Sequence, residues 1–319
     1  MAAPARIKPA GMAPRTKADR VPLWKHVRQE WKLYSFLVIP VVYFIIFKYA
    51  PMLGNIIAFR KYRGGPNIMG TEWVGFTYFE MFMKDPTFWR AFFNDLTLSV
   101  SYLLVKFPVT LSFALLLNEI RRIKWKKFVQ TVSYLPHFIS MVIVAGMIKE
   151  VVSLTGPLNS LLASVGLEKI SFISLPEWFP VIYVTSGVWQ SLGWGTILYL
   201  AAMTSIDPSL YEAAKMDGAN RFKLAKHVTI PGILPTIMVL LILDIGSILG
   251  SNFEKILLLY NPLTYETADV ISTYVYRMGI TGGNFSYATA VGLFEGIIGL
   301  ILVTIANTVS KKTTKSSLW

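Results

Sequence analysis

The sequence predicts an all-α membrane protein with six transmembrane helices and both termini in the cytoplasm. Three observations predict it. Of the 319 residues, 54% are apolar and only 15% charged, whereas a soluble domain carries about a quarter charged residues. Six apolar runs, at residues 35–59, 96–118, 128–150, 180–203, 232–252 and 289–309, reach the roughly 20 residues that cross a bilayer as a helix. Lys and Arg are unevenly shared among the connections. The tail to residue 34, the 119–127 and 204–231 loops and the C-terminal end hold 20 of them, while 60–92, 151–179 and 253–288 hold 8. Positive charge stays on the cytoplasmic side. The net charge of +13 therefore points first to cytoplasmic loops beside anionic lipid, ahead of nucleic acid.

Residues 1–34 form a basic cytoplasmic tail, and 1–22 has the Ala-, Pro-, Lys- and Arg-rich composition of a disordered segment. The run 35–59 is longer than the apolar core of a signal peptide and lacks a small-x-small pattern near Ala58-Phe59-Arg60, so it reads as a retained first helix. The segment 60–92 is extracellular. Like 253–288, it is long for a connection in a compact bundle, which predicts short helices or a docking surface for an extracellular partner. Residues 93–309 form the helical core, and 310–319 a cytoplasmic end. Lys106, beside Pro108, either snorkels or pairs with an acid. Lys48, flanked by Tyr49 and Pro51, suggests an outer interface. Glu295 lies between Gly292 and Gly296, small residues that permit close helix approach, and a contact across a subunit interface is the preferred reading. His137, after Pro136, reads as a helix-packing residue ahead of a proton relay.

Chemistry is conspicuous by what is missing. The chain has no Cys, which excludes disulfides, iron–sulfur clusters and Cys-bound zinc. Its three His residues, His26, His137 and His227, have no spacing that suggests a shared metal. There is no GxxxxGK[ST] phosphate loop, GxSxG elbow, HExxH pair or intramembrane DxD-like cluster. A membrane enzyme is thereby disfavoured. A self-sufficient carrier would show internal repeats, and no clear repeat is present. These absences fit a transport subunit whose motor is another polypeptide.

Residues 211–235, YEAAKMDGANRFKLAKHVTIPGILP, say how such a motor is reached. Glu212-Ala213-Ala214 opens a helix with strong helix formers. Asp217-Gly218-Ala219-Asn220 interrupts it, since Gly accepts positive φ and Asp and Asn compete for local backbone hydrogen bonds. A second short basic helix runs from Arg221 to His227, and Pro231 and Pro235 punctuate the return to apolar sequence. Two helices on the cytoplasmic face present a surface to a soluble partner.

That segment resembles the EAA loop of ABC-importer permeases, the binding-protein-dependent transport family, with the pattern E-A-A-x3-G-x9-I-x-L-P. Glu212, Ala213, Ala214 and Gly218 match, Pro231 stands where the proline is expected, and Val228 and Ile230 replace the usual Ile and Leu. Phe47-Lys48-Tyr49-Ala50-Pro51-Met52-Leu53-Gly54, Leu115 to Arg121 and Gln130 to Ser140 are similar to the carbohydrate branch, particularly its oligosaccharide and polysaccharide permeases. The resemblance runs from about residue 32 to the C-terminus. It implies a type I ABC importer permease fold, with coupling helices over 207–231 seated in a cleft of an ATPase subunit. Glu212 would make the polar contact, Ala213 and Ala214 the close-packing face, and Gly218 the turn, with Asp217 beside it. The implied partners are a second related permease, two copies of an ATPase that carry ATP and Mg, and an extracellular sugar-binding protein. No cofactor is implied for this chain, and its place is the bacterial cell membrane.

For the substrate path, Gln190, Ser191 and Trp194 cluster before the loop, with Gln190 and Trp194 one turn apart. Asp244, Ser247 and Ser251 recur after it at i, i+3 and i+7, with Asn252 adjacent, which predicts one helical stripe. Amides, carboxylates and hydroxyls bond sugar hydroxyls, and aromatic rings stack on apolar sugar faces. The other reading is that the serines pack helices while Trp189 and Trp194 belt an interface or fill the bundle. A non-sugar ligand also stays open.

Overall fold

A computed structural model describes Trp24 and residues 28–62, 64–250 and 252–314. Most of the expected basic tail, the last five residues and Ser251 lie outside the described residues. Contacts divide the chain into two units, the first through Gly54 and the second from Asn55 onward. The first contains α1, Trp31–Phe44, followed by a widened π turn, Ile45–Tyr49, and the turn Ala50–Met52. Pro51 explains the widening. A proline lacks an N–H and its ring collides with the carbonyl four residues back, so the helix lengthens one turn to keep its ladder.

The second unit contains α2, Thr77–Met83, and α3, Pro86–Glu119. Asp85 caps α3 by accepting the Thr87 N–H at 2.8 Å, with Pro86 at the first helical position, where its missing donor costs nothing. Next come α4, Ile123–Tyr134, α5, Met141–Val152, and α6, Pro157–Ser164. They are followed by α7, Trp178–Thr204, α8, Pro208–Met216, and α9, Arg221–Gly246. Two short helices, α10, Phe253–Leu259, and α11, Ile271–Val275, precede the long α12, Phe285–Thr314. A single isolated bridge, Arg60 with Trp73, is the only extended pairing among the described residues.

Helices α3 and α7 make the most extensive contact in the bundle. Three apolar clusters hold the second unit together. Leu98, Val144, Ile148, Phe179, Val184, Val188 and Ile256 unite α3, α5, α7 and α10. Phe82, Phe88, Ala91, Ile271, Tyr274, Tyr287 and Val291 join α2, α3, α11 and α12. Ala114, Tyr199, Met203, Ile233 and Ile237 join α3, α7 and α9. The long connections carry short helices, as expected. The 253–288 segment is fixed by Arg277, which donates to both oxygens of the fully buried Asp269 at 2.6 Å, while Thr273 donates to the same carboxylate at 2.7 Å. A second anchor is Tyr274, whose hydroxyl donates to Asp85 at 2.5 Å and shares a 2.6 Å bond with Tyr287.

Five stretches among the described residues are long and apolar enough to cross a membrane: Trp31–Phe59, Pro86–Glu119, Met141–Ser164, Arg221–Gly246 and Phe285–Lys312. The fold is all-α and multi-pass. Three expectations change in detail. The expected span 180–203 falls within α7, which has the length, but its Gly, Ser, Thr, Trp and Gln residues dilute its apolar character. The expected span 128–150 is broken by a 3-10 turn at Leu135–Phe138, where Pro136 interrupts the ladder, and the apolar length begins instead at Met141. The expected helix Arg221 to His227 is not separate from the next span. A π turn at Ala225–Thr229 absorbs Pro231, the same offset as before Pro51, and α9 continues to Gly246.

Candidate functional site

A cavity of about 460 Å³ opens between α3, α7 and the chain that follows α9. Helical spacing places Ser99, Tyr102 and Lys106 of α3 on one wall, and Tyr183, Gly187, Gln190 and Ser191 of α7 on another. Asp244, Ser247 and Asn252 come from the end of α9 and beyond it, and His137 and Lys255 also line the space. Lys106 donates to Asp244 at 2.8 Å, which settles the acid that sequence left unnamed. Tyr102 and Ser191 share a hydroxyl hydrogen bond of 2.9 Å.

The sequence-predicted path residues are therefore partly brought together. Gln190, Ser191, Asp244, Ser247 and Asn252 line the same space. The expected helical stripe is not continuous: α9 ends at Gly246, Ser247 lies in the turn beyond it with its hydroxyl donating to the Asp244 carbonyl at 3.0 Å, and Ser251 lies outside the described residues. Asn252 spends its side-chain oxygen capping α10, accepting the Lys255 N–H at 3.1 Å. Trp194 lines a neighbouring cavity of about 360 Å³ and stacks on His137, with ring centroids 4.6 Å apart. Tyr102, Tyr183 and Lys255 were missed. Tyr102 stands one turn before Lys106 and was legible as its neighbour. Lys255 gave no signal, since it follows the apolar run in sequence and only the fold returns it to the cavity. Glu295 is half-buried, and nothing lies within 4 Å of a Cβ built at Gly292 or Gly296, so that face of α12 has no close neighbour there.

The predicted loop is two helices joined by a tight reversal. Asp207 caps α8 by accepting the Ser209 N–H at 2.9 Å. Glu212 and Ala213 are exposed and Ala214 half-buried. Gly218 has φ +74°, its N–H donates to the Lys215 carbonyl at 3.0 Å, and the Ala219 N–H reaches back to Ala214 at 2.9 Å. This pair of bonds closes a helix through a left-handed glycine. Asn220 then starts α9 by accepting the Lys223 N–H at 2.9 Å. Tyr211 and Thr229 share a 3.0 Å hydrogen bond that ties α8 to α9. Beside Glu212, Leu210, Met216 and Phe222 are 54%, 88% and 75% exposed, an apolar surface that sequence reading passed over.

An all-α multi-pass bundle with an interior polar cavity and an exposed two-helix loop defines a membrane transport component. Residues 106–315 match the family described as the binding-protein-dependent transport system inner membrane component, and the chain belongs to that family. It is a multi-pass inner-membrane permease subunit, and family membership makes it a transport component with no catalytic role. The chain is 46% identical to the polygalacturonan/rhamnogalacturonan transport system permease protein YteP of Bacillus subtilis, over 91% of this chain and 90% of that one. It is equally identical to protein LplB of the same organism, with 92% of each chain covered. The fold superposes with a TM-score of 0.84 on a crystal structure of a bacterial ABC transporter involved in the import of the acidic polysaccharide alginate. That match is 44% identical and covers 92% of this chain and 99% of the other. Among the described residues no group of His, Cys, Asp and Glu is arranged to hold a metal.

Proposed function

We propose that the chain is a permease subunit of an ATP-driven importer of oligosaccharides or polysaccharide fragments. It forms half of the translocation path. The observation that carries the reading is the cavity, where tyrosine rings, hydroxyls, an amide and an ion pair surround a space that suits part of a sugar chain. The saccharides named for its relatives support the same class. Six helices cross the membrane with both termini inside, α7 supplying the crossing whose polar content the cavity explains. The complete importer contains a second related permease, two ATPase copies and an extracellular binding protein.

Residues 207–231 seat on the ATPase, with Glu212 as polar contact, Ala213 and Ala214 as the packing face, Asp217 and Gly218 in the turn and Pro231 at the return. ATP-driven closure of the ATPase pair draws the coupling helices together and turns the cavity outward; hydrolysis returns it inward. The test is ATP-dependent saccharide uptake in proteoliposomes that hold the whole complex. The Glu212→Lys variant is expected to insert normally and lose stimulated ATPase activity. Unchanged uptake in that variant removes the role given to Glu212. Uptake by vesicles that contain this chain alone points to a self-sufficient carrier.

A further inference from the structure

Lys255 brings to the cavity wall an amine that no described carboxylate neutralises. Its side chain is buried at 2% exposure, and it reaches the cavity from α10. The ammonium donates to the Tyr183 carbonyl at 2.8 Å and lies 4.9 Å from the centre of the Tyr183 ring. Among the described residues no carboxylate forms an ion pair with it. The one acid on the cavity wall, Asp244, is taken by Lys106 at 2.8 Å. An ammonium has three N–H donors, and a carbonyl with a ring face supplies only part of what water would. Space for the group is built in. A Cβ at Gly187 would stand 3.1 Å from Nζ and 2.9 Å from the Tyr102 ring.

We propose that Lys255 selects for a carboxylate on the transported sugar, so that the cavity prefers uronate-bearing saccharides over neutral ones of the same shape. This rests on the saccharide reading above. Lys255 in its protonated form, set in a low-dielectric wall, attracts an anion far more strongly than the same charge in water. A carboxylate supplies the charge-assisted hydrogen-bond partner that the ammonium lacks. Burial pushes the Lys255 ammonium down to about 7. The other titratable groups around it are Tyr102 on α3, Tyr183 on α7, and Lys106, Asp244 and His137 across the cavity. On the remaining neighbours, Lys149 and Glu150 of α5 are exposed, and Tyr274 of α11 is held by Asp85. A bound carboxylate therefore favours the protonated amine, and uronate affinity rises as pH falls through this range while the uronate itself, which ionises near about 4, stays charged.

The experiment measures equilibrium binding of a tetragalacturonate and its carboxyl-reduced counterpart to the purified whole importer, without binding protein. The wild type is expected to bind the uronate about tenfold more tightly. Lys255→Met is expected to bring the two within about threefold by weakening the uronate alone, whereas Lys255→Arg keeps the preference. Lowering the pH from about 8 to about 6 is expected to strengthen uronate binding more in the wild type than in Lys255→Met. Equal weakening of both probes in Lys255→Met, or no uronate preference in the wild type, overturns the proposal. Should the methionine variant fail to assemble, Lys255→Gln keeps a donor for the Tyr183 carbonyl without the charge and gives the same readout. A wild type that binds neither probe overturns the saccharide reading itself, an outcome visible without any variant.

Discussion

Lys106 and Asp244 stand on α3 and α9, 138 residues apart in sequence and 2.8 Å apart in space. Each alone is a charged group in an apolar run, costly unless it finds a partner. Their pairing accounts for both and ties the two helices across the cavity. Removing one partner leaves the other exposed to the full desolvation cost. Lys106→Met or Asp244→Asn is expected to lower stability by about 1–3 kcal/mol. The double variant should recover most of that loss, read as the midpoint of thermal unfolding of the purified complex; strictly additive losses would show that the pair is not coupled. The lysine was legible in the sequence as an anomaly. Its partner was not, because helix register across a bundle depends on packing that one strand of sequence does not contain.

Among elements, the two-helix loop over 207–231 is the best specified by local chemistry. Every reversal in it has a named residue: the Asp207 cap, the left-handed Gly218 and the Asn220 cap. Gly218→Ala forces a Cβ into that left-handed turn and is expected to cost about 1–2 kcal/mol locally. Transport should fall while insertion and surface expression remain unchanged, as measured by uptake against membrane content. Open space around Gly218 means that a loss of the chain's own stability here reports backbone strain and not a clash within the chain. Met216 and Phe222 stand out from the two helices. Replacing both by Ser is expected to weaken the ATPase's hold by about a hundredfold or more and so to abolish its copurification, since burying each large apolar side chain is worth about 1.5–3 kcal/mol. Retention of the ATPase at wild-type level would place the docking surface elsewhere. The π turn before Pro231 carries Arg221–Leu224 on into the rest of α9, where two separate helices were expected.

At the scale of the molecule, the Cys-free chain offers a direct test of topology. Met216 and Leu263 are 88% and 67% exposed, on connections assigned to opposite sides of the membrane. A Cys at 263 is expected to react with a membrane-impermeant maleimide on intact cells. A Cys at 216 should react only after the membrane is opened. The reverse pattern would invert the orientation read from Lys and Arg.

The sequence by itself determined that this chain is a helical membrane protein, and its short-range chemistry determined the two-helix loop with its caps and glycine turn. Apolar run length and backbone capping act within a few residues, so one dimension is enough to read them. Tertiary structure alone decided where α9 ends, which acid Lys106 meets and that Lys255 returns to the cavity. Those facts follow from how α3, α7 and α10 pack side by side. Residues far apart in the chain then share one space, and their charges answer to one another.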